Sequence, residues 1–180
     1  MSVGVARCGC WLVCRVSDDS AVEAVNSTID ARWAEFAPGT VAPLAPHHTR
    51  LNSPLDVLGL VEQLAQPHTS EAYLIHTGRP RVTSTVTGRT KADHGLVIAV
   101  HDGRGYAEYS DRRRHCQTLD DTDSGEWHTI YQGHFLSGSG IPVDQLAAMV
   151  LEFLHTAELP ANVQWRDLTL HGRQAHRAMS

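Results

Sequence analysis

No apolar run in these 180 residues approaches the roughly 18–20 needed to span a bilayer as a helix. The opening segment Met1–Cys14 carries Arg7 inside a weakly apolar stretch, and no small-x-small cleavage site follows it. A secretion signal is therefore not expected, and the protein is expected to be cytoplasmic with no membrane partner. The even spread of cysteines that marks a disulfide framework is missing too: Cys8, Cys10 and Cys14 crowd the start, and Cys116 stands alone. A C-x-C-x3-C cluster could bind zinc, but no fourth ligand stands at zinc-finger spacing, so reduced thiols are expected. Positive charge is not in excess either. The formal net charge is −5, which argues against a protein that binds nucleic acid directly through phosphate contacts. It fits a basic partner better.

Catalytic signatures are also lacking. There is no G-x-S-x-G elbow, no H-E-x-x-H, no P-loop and no G-x-G-x-x-G. A zinc deaminase would need H-x-E with P-C-x-x-C, and neither occurs. The twelve histidines (47, 48, 68, 76, 94, 101, 115, 128, 134, 155, 171 and 176) show no recurrent ligand spacing. His115 beside Cys116 is not a thiol–base pair, because neighbours on a strand face opposite ways. No catalytic residue, metal ligand or cofactor is expected.

What is present is an ordinary globular composition, 42% hydrophobic and 19% charged. Trp11–Val16 reads as a short strand. Ser20 and Glu23 match a capping box, and Val22, Val25, Ile29, Trp33 and Phe36 fall on one helical face, with a strand alternative around Thr28–Trp33. Ala37–Pro46, with three prolines, reads as a linker. Ser53-Pro54 starts a helix whose expected buried stripe is Leu55, Leu58, Val61 and Leu64. Tyr73–Ile75 begins a sheet segment, and Val82–Thr87 suits an edge strand. Gly95–Val100 and Tyr106–Tyr109 read as a hairpin turned through Asp102-Gly103. Asp111–Gly125 reads as a charged loop and Trp127–Leu136 as a strand. Val143–His155 is the strongest helix, with Leu146, Ala147, Val150, Phe153 and Leu154 inward. Asn162–Leu168, containing Trp165, closes the pattern, and the tail from His171 is polar. The order predicts an α+β fold, a mainly antiparallel sheet with two or three helices packed on one face.

The charged loop allows two readings. Asp111, Asp120, Asp121, Asp123 and Glu126, set against Arg112, Arg113 and Arg114, are either a solvated connector or a partner-binding surface. Acidic groups of this kind would speed association with a basic, nucleic-acid-modifying partner.

From Gly133 to Trp165 the sequence resembles the first-numbered immunity-protein family of bacterial polymorphic toxin systems. The resemblance is carried by Ile141-Pro142 at a helix entry, Phe153-Leu154 near its end, the turn from Thr156 to Pro160, and Val163-Gln164-Trp165. Ala157 stands where the family usually has glycine. Leu96–Tyr106 is similar to the family's central hairpin and Asn52–Val61 to its first helix. These residues define the fold rather than a contact surface. The expected division is an N-terminal extension over 1–45, the immunity-protein-like domain over 46–170, and a polar tail over 171–180. The family implies an antitoxin that binds a co-encoded toxin, often of the cytidine-deaminase superfamily, one to one and without turnover. Two other readings stay open: a small histidine-dependent hydrolase or metal enzyme, favoured if three histidines or carboxylates converge, and a scaffold or subunit protein.

Overall fold

The computed structural model describes residues 27–39, 43–120, 124–129 and 133–168. In chain order the elements are β1 (Ile29–Phe36), β2 (Pro43–Leu51), α1 (Pro54–Leu64), β3 (Ala72–His76), β4 (Arg81–Thr83), β5 (Thr90–Ala92) and β6 (His94–His101). Then follow β7 (Arg104–Asp111), β8 (His115–Leu119), β9 (Trp127–His128), β10 (His134–Phe135), β11 (Ile141–Pro142), α2 (Val143–Thr156) and β12 (Gln164–Asp167). Seven strands hydrogen-bond in the order β12-β8-β7-β6-β3-β1-β2, and every neighbouring pair is antiparallel. β11 extends the lane of β8 along β7: it pairs with Arg104 and Gly105, while β8 pairs with Glu108–Ser110. The α+β architecture and the mainly antiparallel sheet match the expectation.

Alternation sorts the sheet into two faces. Ile29, Ala31, Ala72, Leu74, Leu96, Ile98, Ala107 and Tyr109 are buried against the helices. α1 contributes Val57, Leu60, Val61 and Leu64, and α2 contributes Leu146, Ala147, Met149, Val150, Phe153 and Leu154. Each larger side chain so buried stabilises the fold by roughly 1.5–3 kcal/mol. Close approach depends on Gly105, where an added Cβ would lie 2.6 Å from the Cβ of Leu146. The opposite face carries a small apolar cluster, Ala99, Tyr106 and Phe135 with Val97 and Trp127, covered by the β9–β10 hairpin.

Local chemistry fixes the helix ends. Ser53 caps α1, and Asp56 completes the box by accepting from the Ser53 amide at 3.0 Å. α2 stops at Ala157, whose φ of +58° is left-handed and whose N–H reaches the Phe153 carbonyl at 2.9 Å. Ile141 lies in β11, Pro142 precedes the first turn of α2, and the Trp165 indole N–H donates to the Pro160 carbonyl at 2.7 Å.

Several expectations are corrected. Ile29, Trp33 and Phe36 lie on strand β1, not a helix, because β1 is held between β2 and β3 with Ile29, Ala31 and Trp33 on one side. Pairing on both edges overrides a helical spacing. Trp11–Val16, Ser20, Val22, Glu23 and Val25 lie outside the described residues. β1 and the start of β2 belong to the sheet although they fall within the 1–45 segment. Pro43 and Pro46 do not make a linker: they sit in β2, the terminal strand, where a missing N–H is tolerated. In α1 the inward stripe is Val57, Leu60, Val61 and Leu64, a complete i, i+3, i+4, i+7 set, while Leu55 is 78% exposed and Leu58 44%. The 82–87 segment supplies only the end of β4, which pairs with β5 in a separate two-stranded ribbon. β8 runs through the expected loop, and the 127–136 strand is a hairpin instead.

Candidate functional site: the helix-free face of the sheet

On the side away from the helices, β1 presents Arg32, β3 presents Tyr73, β6 presents Val97 and β7 presents Glu108, by the same alternation that points their neighbours into the core. Tyr73 is 45% exposed, and its ring lies over Gly95, where a Cβ would meet the ring at 2.7 Å. The ring is thus seated against the sheet yet half open to solvent. Two grooves flank it. One, of about 580 Å³, runs under the β4–β5 ribbon and is lined by Arg32, Arg81, Lys91 and Arg112 together with Asp93 and Asp111. The other, of about 490 Å³, runs toward the β9–β10 hairpin and is lined by Glu71, Val97, Glu108 and Phe135. Arg32 and Tyr73 line both. In the second groove Glu71 Oε2 and Trp33 Nε1 are buried and have no hydrogen-bond partner among the described residues. Burial pushes the Tyr73 hydroxyl above its ordinary pKa, although the nearby Arg32 pulls it down.

A buried polar network lies beside the first groove. Arg79 grips Asp93 with two hydrogen bonds at 3.2 Å and donates to the Tyr109 hydroxyl at 2.7 Å and to the Ala157 carbonyl at 3.1 Å. His94 Nε2 accepts from the His76 amide at 2.9 Å, so its Nδ1 carries the proton and donates to Asp93 at 2.8 Å. His76 Nδ1 accepts from the Gly78 amide, and its Nε2 donates to the Leu154 carbonyl at 3.0 Å. Every ring nitrogen of the two imidazoles is therefore engaged. Burial lowers the His94 pKa further than the Asp93 carboxylate raises it. Burial raises the Tyr109 pKa to about 12. For Asp93 burial acts upward, but hydrogen bonds from Arg79 and His94 outweigh it and leave the pKa below the ordinary value. The network fastens β3, β6 and β7 to the end of α2.

The acidic residues singled out by the sequence do not form one patch. Asp111 stands at the β7–β8 turn, where it accepts from the Arg113 and Arg114 amides at 2.8 Å and from the Tyr109 hydroxyl at 3.1 Å. Asp120 follows the far end of β8 and faces Arg104 at 3.8 Å. Glu126 precedes β9 and bonds His134. Asp121 and Asp123 lie outside the described residues, as do Cys8, Cys10 and Cys14. Cys116 is buried in the helix-side core, and burial raises its thiol pKa to about 12, so it is an inert packing group. Tyr73 and Arg32 had no assigned role in the sequence. The available signal was the Ala72-Tyr73-Leu74 alternation, which places an aromatic on the outward register.

The family model for immunity protein Imm1 matches residues 45–167. The chain belongs to the Imm1 immunity protein family. The match takes in α1, the central hairpin, α2 and β12, so the resemblance to this family is upheld. No curated protein matches the chain. Among the described residues no helix is long and apolar enough to cross a membrane.

Proposed function

We propose that this Imm1 protein is an antitoxin that neutralises a co-encoded protein toxin by binding it one to one and covering it, with no turnover and no direct contact with nucleic acid. The toxin class is a nucleic-acid deaminase or nuclease. Family membership over 45–167 is the observation that carries this reading. The helix-free face supplies a fitting surface: a rigidly seated, half-exposed tyrosine and an arginine between two grooves. Tyrosine and arginine are the residue types that concentrate binding energy. Arg32, Arg81, Lys91 and Arg112 have no carboxylate partner within 4.0 Å among the described residues, and they suit an acidic segment of the toxin. The carboxylates of Asp120, Asp121, Asp123 and Glu126 suit the edge of its basic nucleic-acid groove as a second contact.

Size-exclusion chromatography of the mixed proteins should give a single complex of one copy each. Within that complex, Asp121→Asn with Asp123→Asn should slow association most at low salt, because exposed charges are screened over about 8 Å at physiological ionic strength. An unchanged low-salt rate would reduce that stretch to a solvated connector. Failure to form any complex would overturn the reading itself.

A further inference from the structure

We propose that Glu126, His128 and His134 form a zinc-binding site on the outer side of the β9–β10 hairpin. The sequence gives no hint of it, because His128 and His134 meet only through the hairpin register, which sets them directly opposite one another. Glu126 immediately precedes β9, and its Oε1 faces both imidazoles. One ligand atom from each of the three lies within 4.8 Å of the other two. The imidazoles stack with centroids 4.3 Å apart and planes 10° from parallel, and Glu126 Oε1 contacts the Nε2 of both rings.

Two imidazoles and a carboxylate are a zinc donor set, with bonds of about 2.0–2.2 Å, which puts tetrahedral ligand atoms about 3.3 Å apart. Closing the remaining gap needs only side-chain rotation. The three side chains are 55%, 72% and 41% exposed in sequence order, which leaves room for that rotation. On binding, the Glu126–His134 hydrogen bond is exchanged for bonds to the metal, and a water completes the fourth position. The exposure also sets the role. Among the described residues no wall surrounds the ligands to exclude water, so zinc here is a clip and not a reaction centre. The opposite side of the same two strands carries Trp127 and Phe135 into the small second core. A metal joining the strands would hold that cover, and with it one wall of the second groove.

The test is cobalt titration of the full chain followed by zinc competition. The site should take one equivalent at micromolar metal and give ligand-field bands without thiolate-to-cobalt charge transfer. That absorption would appear if Cys8, Cys10 and Cys14 were the ligands. His128→Ala and His134→Ala should each weaken binding by at least about tenfold, and Glu126→Gln should weaken it in the same direction. His47→Ala with His48→Ala should leave it unchanged. Zinc should raise the melting temperature of the wild type but not of His134→Ala, since a ligand stabilises only the state that binds it. Circular dichroism checks that each variant is folded, and the exposed Glu126 and His128 positions serve if His134→Ala is not. Binding that survives in both histidine variants, a thiolate spectrum, or no binding at micromolar metal would each overturn the proposal. Metal binding is read on the protein alone and toxin binding on the mixed proteins, so the two readings fail separately.

Discussion

On the helix side of the sheet, Gly105 makes room for Leu146; on the other side, Gly95 makes room for Tyr73. The device is the same and the results differ. Leu146 is fully buried among α2, β7 and their neighbours, whereas Tyr73 lies against its glycine and is left half in water. The first face is closed by two helices and a polar network whose ring nitrogens are all engaged. The second holds two grooves and, among the described residues, several cations without a carboxylate partner and a buried carboxylate oxygen without a donor. One face holds the fold, and the other is the one we propose meets the toxin.

Substitutions at matched positions on the two faces should separate stability from binding. Phe153→Ala, in the helix-side core, should cost about 3–5 kcal/mol in urea melts, because the surrounding helix and sheet cannot collapse onto the cavity. Its effect on toxin binding should appear only through unfolding. Tyr73→Ala should cost about 1 kcal/mol of stability yet weaken toxin binding at least about tenfold, or 1.4 kcal/mol. A Tyr73 variant that binds the toxin like the wild type would erase the functional contrast between the faces.

A subtler effect comes from the buried network. The His94 pKa is lowered in the folded state by burial, so between its unfolded value of 6.5 and its folded value the unfolded chain binds more protons. Stability must then fall as pH drops below about 6.5 and be unaffected by this group above it. His94→Gln keeps an acceptor for the His76 amide without a titrating ring. Urea melts between pH 5 and about 7 should show a shallower acid slope for this variant than for the wild type. Parallel slopes would show that His94 is not held neutral. The smallest effect is expected at Ala157. Its left-handed φ disfavours a Cβ, so Ala157→Gly should stabilise the protein by about 0.5–1 kcal/mol, read as a higher urea midpoint.

The helix-side half of the fold was legible in the sequence because its signals are apolar and local. The Val143–His155 stripe, the Ser53 cap and the Asp102-Gly103 turn each specify their element without help from distant residues. β8 was hidden because its buried residues include Gln117 and Thr118, which are accommodated by hydrogen bonds to Glu108, Ala107 and Ser139 that no sequence pattern announces. β1 was misread because Ile29, Trp33 and Phe36 also satisfy a helical spacing, and only pairing with β2 and β3 decides between the two. The candidate site was least legible. Arg32 and Tyr73 come from different strands, Asp111 and Asp120 stand at opposite ends of β8, and His128 meets His134 only across a turn.

Stoichiometric occlusion is tested most directly by titrating a fixed amount of active toxin with this protein and reading residual toxin activity. One-to-one covering predicts a straight decline that reaches zero at equimolar protein and does not deepen with longer incubation. Complete inactivation well below equimolar protein, growing with time, would mean that each molecule disposes of many toxins. That result would contradict occlusion and return a catalytic role to this chain.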